Sequence, residues 1–455
     1  MRSMALSAFL AASIGFLAQC SGGASSAETK SLTFDRQSLT IRPDRLIVGV
    51  GVHFGIGGDY GYDPGKSAAR LKELGVDSFR DDLPWVTFAE SDLSRRDYHP
   101  QRLFHFLETA GLRPLVILTY PRKLDGPPPL DDASRAAFAD FAVQAAGVTQ
   151  RFNPIYEIWN EWNMNARLAT TPRDWLVGPG QASDPRAAVN YSALAKATVP
   201  ALTASFPQSP VLAGAVGMDK DWLWTKAIVQ QGATRGSTGL SVHLYNQCES
   251  SPDDRTAAQA IGQLDALHDM LGKLGTGAEV PVYVTEFGWP TTSSRCVVSK
   301  QEAADNIAQF LLWSAATPWI KGAWIYQLKD QGRNVDELED NFGLYDYDYG
   351  PKPAACAVRN VMSMIKASHG YRRERPFPNV FLVQLATEKG VRIVAWTRSA
   401  NFTATLSSNG GRVLRASRLC SGPVEAGSEI AIGPEPVILD MPDADSITLS
   451  VRAAP

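Results

Sequence analysis

Beyond residue 30 the 455-residue chain contains no apolar run approaching the roughly 18 residues of a membrane span, so none is expected in the mature protein. Its five cysteines include no Cys-x-x-Cys pair, and its six histidines form no spaced ligand set with them, which disfavours zinc. There is no His-Glu-x-x-His and no Gly-x-Ser-x-Gly, so metalloprotease and serine-hydrolase readings lack support. The glycines fail the dinucleotide pattern too: after Gly49 and Gly51, Phe54 stands where the third glycine is required. A net charge of −3 carries no nucleic-acid footprint. Nothing here calls for a cofactor or a metal.

The N-terminus has the layout of a secretory signal over 1–27: Arg2, an apolar run from Met4 to Ala18, then small residues through Ala27. Two processing routes stay open. Leu17-Ala18-Gln19-Cys20 resembles a lipoprotein site that would put a lipid anchor on Cys20, whereas cleavage after Ala27 would release a secreted or periplasmic protein. In the second case Cys248, Cys296, Cys356 and Cys420 remain, an even set that suggests disulfides in an exported chain. Cys248 and Cys296 follow successive predicted strands. Cys356 with Cys420 would tie the last helix to a C-terminal domain.

A repeating unit fills the middle of the chain. After a polar leader, strands are predicted over 46–52, 76–80, 115–119, 154–159, 211–216, 240–245, 282–287 and 322–327. Helices are predicted between and after them over 67–74, 102–110, 133–148, 186–206, 222–231, 255–274, 303–316 and 354–367, with caps at Asp131 or Asp132, a Ser299-x-x-Glu302 capping box and Pro353 in a first turn. Eight strand–helix units close naturally into a (β/α)8 TIM barrel, here over 40–370, an open doubly wound sheet being the alternative. From 371 to 455 the texture changes to short alternating runs between Gly, Pro, Asn and Asp, which read as a small C-terminal β-sandwich whose role is either structural support or sugar binding.

Two of the strands deliver a carboxylate where they end: Trp159-Asn160-Glu161 and Thr285-Glu286-Phe287-Gly288-Trp289. These segments resemble the acid/base and nucleophile segments of retaining glycoside hydrolases of the large (β/α)8 clan. The chain is most similar to family 39, which holds β-xylosidases, α-iduronidases and exopolysaccharide glycosidases, with family 5 next. One departure is Trp162, where many relatives have proline after the acid/base glutamate.

The resemblance implies Glu161 as acid/base and Glu286 as nucleophile, two groups that retention needs roughly 5–5.5 Å apart. It implies that Arg80 and Tyr245 hold Glu286 ionised, that Asn160 binds the hydroxyl beside the anomeric carbon, and that His53, Tyr120, His243, Trp324 and Gln327 form the floor and walls of a sugar site. Trp324 would stack on the sugar. A carbohydrate, an oligo- or polysaccharide such as an exopolysaccharide, is the partner implied. Transglycosylation and a non-catalytic binding role are the rivals. Other residues keep two readings. His243 is either a site residue or a core histidine, Asp81 and Asp82 either ion-pair with Arg80 or touch substrate, and Glu157 is expected to be merely solvated or paired. The loop from Asn341 to Tyr349 either extends the cleft or packs. Long loops after the fourth and eighth strands, about 25 residues each, either wall off a pocket or border an open groove, with a slight lean toward endo action on a polymer.

Overall fold

The computed structural model describes residues 28–55, 60–86, 100–120, 127–164, 185–275, 280–293, 296–387, 390–408, 414–427, 429–441 and 445–453. The expected signal and Cys20 lie outside the described residues, as does most of the loop beyond Glu161. The chain enters through β1 (Thr29–Asp35) and a short β2 (Thr40–Ile41). Eight parallel strands then close a barrel: β3 (Ile47–Gly51), β4 (Ser78–Pro84), β5 (Arg113–Thr119), β6 (Ile155–Ile158), β7 (Val211–Val216), β8 (Gly239–Leu244), β9 (Val282–Phe287) and β10 (Ile320–Ile325). Behind them in the same order come α1 (Pro64–Leu74), α2 (Pro100–Ala110), α3 (Asp132–Thr149), α4 (Pro185–Ser205), α5 (Leu223–Gln230), α6 (Ala257–Lys273), α7 (Lys300–Ala315) and α8 (Pro353–Ala367). The predicted (β/α)8 barrel is therefore the fold.

Local chemistry sets the helix ends. The Asp131 side chain accepts from Ser134 N in a capping box, Ser299 and Glu302 form a second, and Gly75 closes α1 at φ 69°. Along the strands, period-two alternation separates two cores. Phe79, Val116, Leu118, Tyr156, Ile158, Val242 and Val284 face the helices, whereas Leu115, Ile117, Ile155, Leu212, Tyr283 and Trp324 fill the barrel. Trp324 thus corrects the expectation of a stacking platform. It is wholly buried, its Nε1 donates to Ser78 Oγ at 3.0 Å, and its ring fills the space that a side chain at Gly49 would need.

The C-terminal part adds β11 (Gly370–Phe377), β12 (Val380–Ala386), β13 (Val391–Thr397), β14 (Ala404–Ser408), β15 (Leu414–Arg418), β16 (Gly422–Gly427), β17 (Glu429–Ile432), β18 (Val437–Met441) and β19 (Ser446–Ala453). They form two antiparallel sheets, in the orders β1-β19-β14-β17 and β16-β15-β18-β13-β12-β11-β2. Their facing sides share one core, including Phe34, Leu382, Ile393, Leu406, Leu439 and Leu449. The leader at 29–35 is thus a strand, not a polar tail. Only Leu32 and Phe34 mark it, because an edge strand buries one face alone.

The larger sheet is covered twice. Val380 and Leu382 of β12 enter the sandwich core, while Phe381, Val383 and Leu385 turn to the barrel, where Phe381 and Trp396 meet Trp313 of α7 with ring centroids 5.3 and 6.4 Å away. That explains the unbroken apolar run over 380–383. Arg42 reinforces the junction by donating to the carbonyl oxygens of Ser314 (3.0 Å), Ala315 (2.6 Å) and Ile320. Two disulfides are present, Cys248–Cys296 between the loops after β8 and β9, and Cys356–Cys420 between α8 and the β-domain. No helix among the described residues is long and apolar enough to cross a membrane.

Candidate active site

β6 stops at Ile158, and the next residues leave the strand abruptly: Trp159 has φ 66° and Glu161 φ 44°. The Glu161 amide is tied to Ala215 O at 2.9 Å, so the turn is held by the neighbouring strand while Asn160 and Glu161 reach the barrel mouth. On β9 a second irregularity matters. Val242 pairs with Val284 but His243 pairs with Glu286, so the ladder slips by one residue at Thr285. Tyr283 points into the barrel, and strict alternation would send Glu286 outward. The bulge turns it in.

The result is a compact constellation. Arg80 donates from Nε to Glu157 Oε2 at 2.8 Å, from Nη1 to Glu286 Oε1, and from Nη2 to Asn160 Oδ1 at 2.9 Å. Tyr245 donates its hydroxyl to Glu286 Oε2 at 2.7 Å. His243 Nδ1 lies 2.9 Å from Glu161 Oε1 and 3.5 Å from Glu286 Oε2. One carboxylate oxygen from each glutamate and a ring nitrogen of His243 lie within 4.8 Å of one another. Five of the expected residues, Arg80, Asn160, His243, Tyr245 and Glu286, therefore meet around Glu161.

Electrostatics divides these groups. Burial would raise Glu286, but His243, Arg80 and the Tyr245 hydrogen bond outweigh it and hold the carboxyl below its ordinary value. Burial, with the Glu286 charge beside it, pushes the Tyr245 phenol well up, so it remains a donor. For His243 two observations pull apart. Burial is overcome by Glu286 and Glu161, which raise the ring, yet Arg80 Nη2 approaches Nε2 at 3.3 Å and needs a lone pair there. Either way Nδ1, the nitrogen that faces both carboxylates, carries a proton.

Several expectations need correcting. β4 does not end at Arg80 but runs on to Pro84, and Arg80 still points inward as an interior residue. Asp81 accepts from the backbone of Phe54 (2.8 Å), Gly55 (3.1 Å) and Asp82 (2.8 Å), clamping the first loop rather than pairing with Arg80. Burial pushes Asp82 up to about 7 although Arg80 pulls it down. Glu157 is paired, as expected, but fully buried instead of solvated. Gln327 is buried behind the cleft and accepts from Tyr62 OH at 3.1 Å, so it supports the wall without forming it. His53 packs among Tyr60, Tyr62 and Tyr326, and burial depresses it to about 4, so it stays neutral. Tyr120 follows β5 at φ 64° and half-buried. Of the loop 341–349, Phe342, Leu344, Tyr345 and Tyr349 are buried, so most of it packs. Trp162 also turns away, its ring 4.8 Å from Trp159 in the helix-side core.

Three residues near the carboxylates escaped the sequence reading. Tyr326 takes the mouth position expected of Trp324. It is two residues further along the same inward face, and its ring lies 6.2 Å from that of Tyr245. Gly217 and Asn163 support Glu161: Asn163 Nδ2 donates to Gly217 O, and Gly217 N donates to Asn163 Oδ1 at 3.0 Å. Period-two spacing was the one available signal for Tyr326. Nothing local marked the other two.

Glu161, His243 and Glu286 could in principle hold a cation. Their other contacts argue against it: the Arg80 guanidinium occupies Glu286 and faces His243, and the His243 nitrogen facing the carboxylates carries a proton. An incoming divalent ion would meet a fixed positive charge.

No protein-family model matches the chain, and no curated protein does. Solved structures do. The chain is similar to a family 39 glycoside hydrolase from the gut symbiont Bacteroides cellulosilyticus, at 20% identity over 87% of this chain and 81% of that one, with a TM-score of 0.67. It is also similar to a family 39 β-xylosidase from Caulobacter crescentus (14% identity, 92% and 98% covered, TM-score 0.54) and to a family 5 enzyme from Streptomyces cattleya (17%, 72% and 81%, 0.53). At these identities the likeness is one of fold: the chain shares the (β/α)8 barrel of these glycoside hydrolases.

Proposed function

We propose that the chain is a retaining glycoside hydrolase, exported, acting on an oligo- or polysaccharide by double displacement. One observation carries the reading: carboxylate oxygens of Glu161 and Glu286 lie within 4.8 Å of each other across the barrel mouth, with Glu286 held ionised. That separation suits a nucleophile and acid pair in direct contact with one bond, and is too short for the roughly 6.5–9.5 Å that an inverting enzyme needs to admit water.

Glu286 attacks the anomeric carbon while Glu161 protonates the departing oxygen, leaving a glycosyl–Glu286 ester. Water then attacks the same carbon, gives its proton to Glu161 and releases Glu286. Asn160, fixed through its carbonyl oxygen by Arg80, is placed to meet the neighbouring hydroxyl. The test is NMR of the anomeric proton during hydrolysis of aryl β-glycosides and bacterial exopolysaccharides. First-formed β-product is expected; α-product would remove Glu286 from the nucleophile's role.

Two variants probe the supports. A Cβ at Gly217 would stand 2.6 Å from Glu161 Oε1, and a flexible carboxylate can retreat where backbone cannot. Gly217→Ala should therefore fold normally, with an unchanged melting temperature, yet lose about 10²-fold in kcat, since a displacement near 1 Å costs that much. Tyr245→Phe deletes a donor to the ionised nucleophile. Glu286 must be charged to act, so activity falls as pH drops through its depressed pKa. Without the phenol that acidic limb should move up by about one pH unit. A limb that stays in place or moves down would count against Glu286 as the group that sets it.

A further inference from the structure

The turn after β7 lies so close to Glu161 that a Cβ at 217 would push that side chain aside, with Met164 Cγ also 2.8 Å from where the Cβ would stand. Both ends of this turn are locked. Asn163 bonds both backbone polar groups of Gly217, and Asp219 accepts from Trp224 N (3.4 Å), Thr225 N (2.7 Å) and Thr225 Oγ1 (2.8 Å). Between the two clamps Met218 is held at φ 37°, a left-handed conformation uncommon for a long side chain, and is 60% exposed while Gly217 and Asp219 on either side are buried. A strained backbone that holds a thioether out into water, one residue along the turn from the glycine that abuts Glu161, is the kind of outlier that marks a working surface. Methionine suits such a surface because it adapts its shape to apolar ligands.

On the hydrolase reading, on which this rests, the oxygen protonated by Glu161 joins the cleaved sugar to its leaving group, so the leaving group must lie against what adjoins Glu161. We infer that Met218, with the half-buried Met164, forms the leaving-group subsite and takes a hydrophobic aglycone or the apolar face of a sugar ring. The same surface receives an alcohol acceptor that opens the ester in place of water. In that transfer the acceptor oxygen bonds to the anomeric carbon, the bond to Glu286 breaks with its electron pair returning to the carboxylate, and the acceptor's proton passes to Glu161.

The test uses whichever of p-nitrophenyl β-D-xyloside, β-D-glucoside or β-D-galactoside the wild-type protein turns over, in the presence of equal methanol and 2-phenylethanol. The ratio of phenylethyl to methyl glycoside is expected to fall about tenfold in Met218→Ser, the size of effect for uncovering one thioether side chain. Val148→Ser, which removes an exposed apolar side chain from α3 on the outside of the barrel, should leave the ratio unchanged. Being a ratio, it is insensitive to the fraction of folded protein. If no transfer product forms, kcat/KM for hydrolysis of 2-phenylethyl and methyl β-glycosides gives the same comparison. A Met218→Ser ratio within about twofold of wild type, or a wild-type preference below about twofold, overturns the inference while the hydrolase reading stands. Wild-type silence on every substrate and exopolysaccharide sinks both.

Discussion

Glu286→Gln should lower kcat on an aryl β-glycoside by about 10⁵-fold, with the fold intact. The amide keeps the shape of the side chain but is neither charged nor nucleophilic, so no ester to residue 286 can form. Glu161→Gln should behave differently, and the difference is the stronger test. With an alkyl leaving group, whose oxygen needs a proton as the bond breaks, the loss should be about 10²–10⁴-fold. With 2,4-dinitrophenolate, which leaves without help, the first step should be nearly spared and the second should limit, because water has lost its base. A burst of dinitrophenol and restored turnover on adding azide, a nucleophile needing no base, are the expected signatures. Equal losses on both leaving groups would take Glu161 out of the acid's role, and turnover of Glu286→Gln within tenfold of wild type would take Glu286 out of the nucleophile's.

Much of this was legible in the chain, for identifiable reasons. Barrel strands buried on both faces become apolar runs that end where the polar residues of the mouth begin, so the eight units and the ordinal positions of Glu161 and Glu286 could be read directly. What could not be read depended on a single residue of register. The bulge at Thr285 decides that Glu286 faces inward, and no residue type there announces it. The same issue misplaced the aromatic at the mouth. Trp324 and Tyr326 share an inward face, and depth along β10, set by the glycines at 49 and 322 that make room for the indole, puts Trp324 in the core and Tyr326 at the site. Contacts between distant segments were equally silent: Thr29–Asp35 becomes a strand only because β19, more than 400 residues later, offers it an edge.

Arg80 joins the stability of the barrel to the proposed chemistry, and a pair of substitutions should separate the two. Its guanidinium is 5% exposed and bonds Glu157, whose side chain is wholly buried, as well as Glu286 and Asn160. Arg80→Met would strand the Glu157 charge inside the barrel, and the unfolding free energy at pH 7 should fall by about 3–5 kcal/mol. The deficit should shrink as pH is lowered, because a buried carboxyl without its partner can shed its charge by binding a proton. Adding Glu157→Gln removes the stranded charge at its source, so Arg80→Met/Glu157→Gln should recover most of the lost stability in a denaturant titration. It should not recover activity. Glu286 would still lack the cation that keeps it ionised and Asn160 the donor that orients it, two losses that hydrophobic repacking around the new thioether cannot replace. A stable double variant with kcat/KM within tenfold of wild type would reduce Arg80 to a structural ion-pair partner of Glu157. A single variant as stable as wild type would show that the buried pair contributes nothing net, which is possible only if water reaches Glu157 once the arginine is gone.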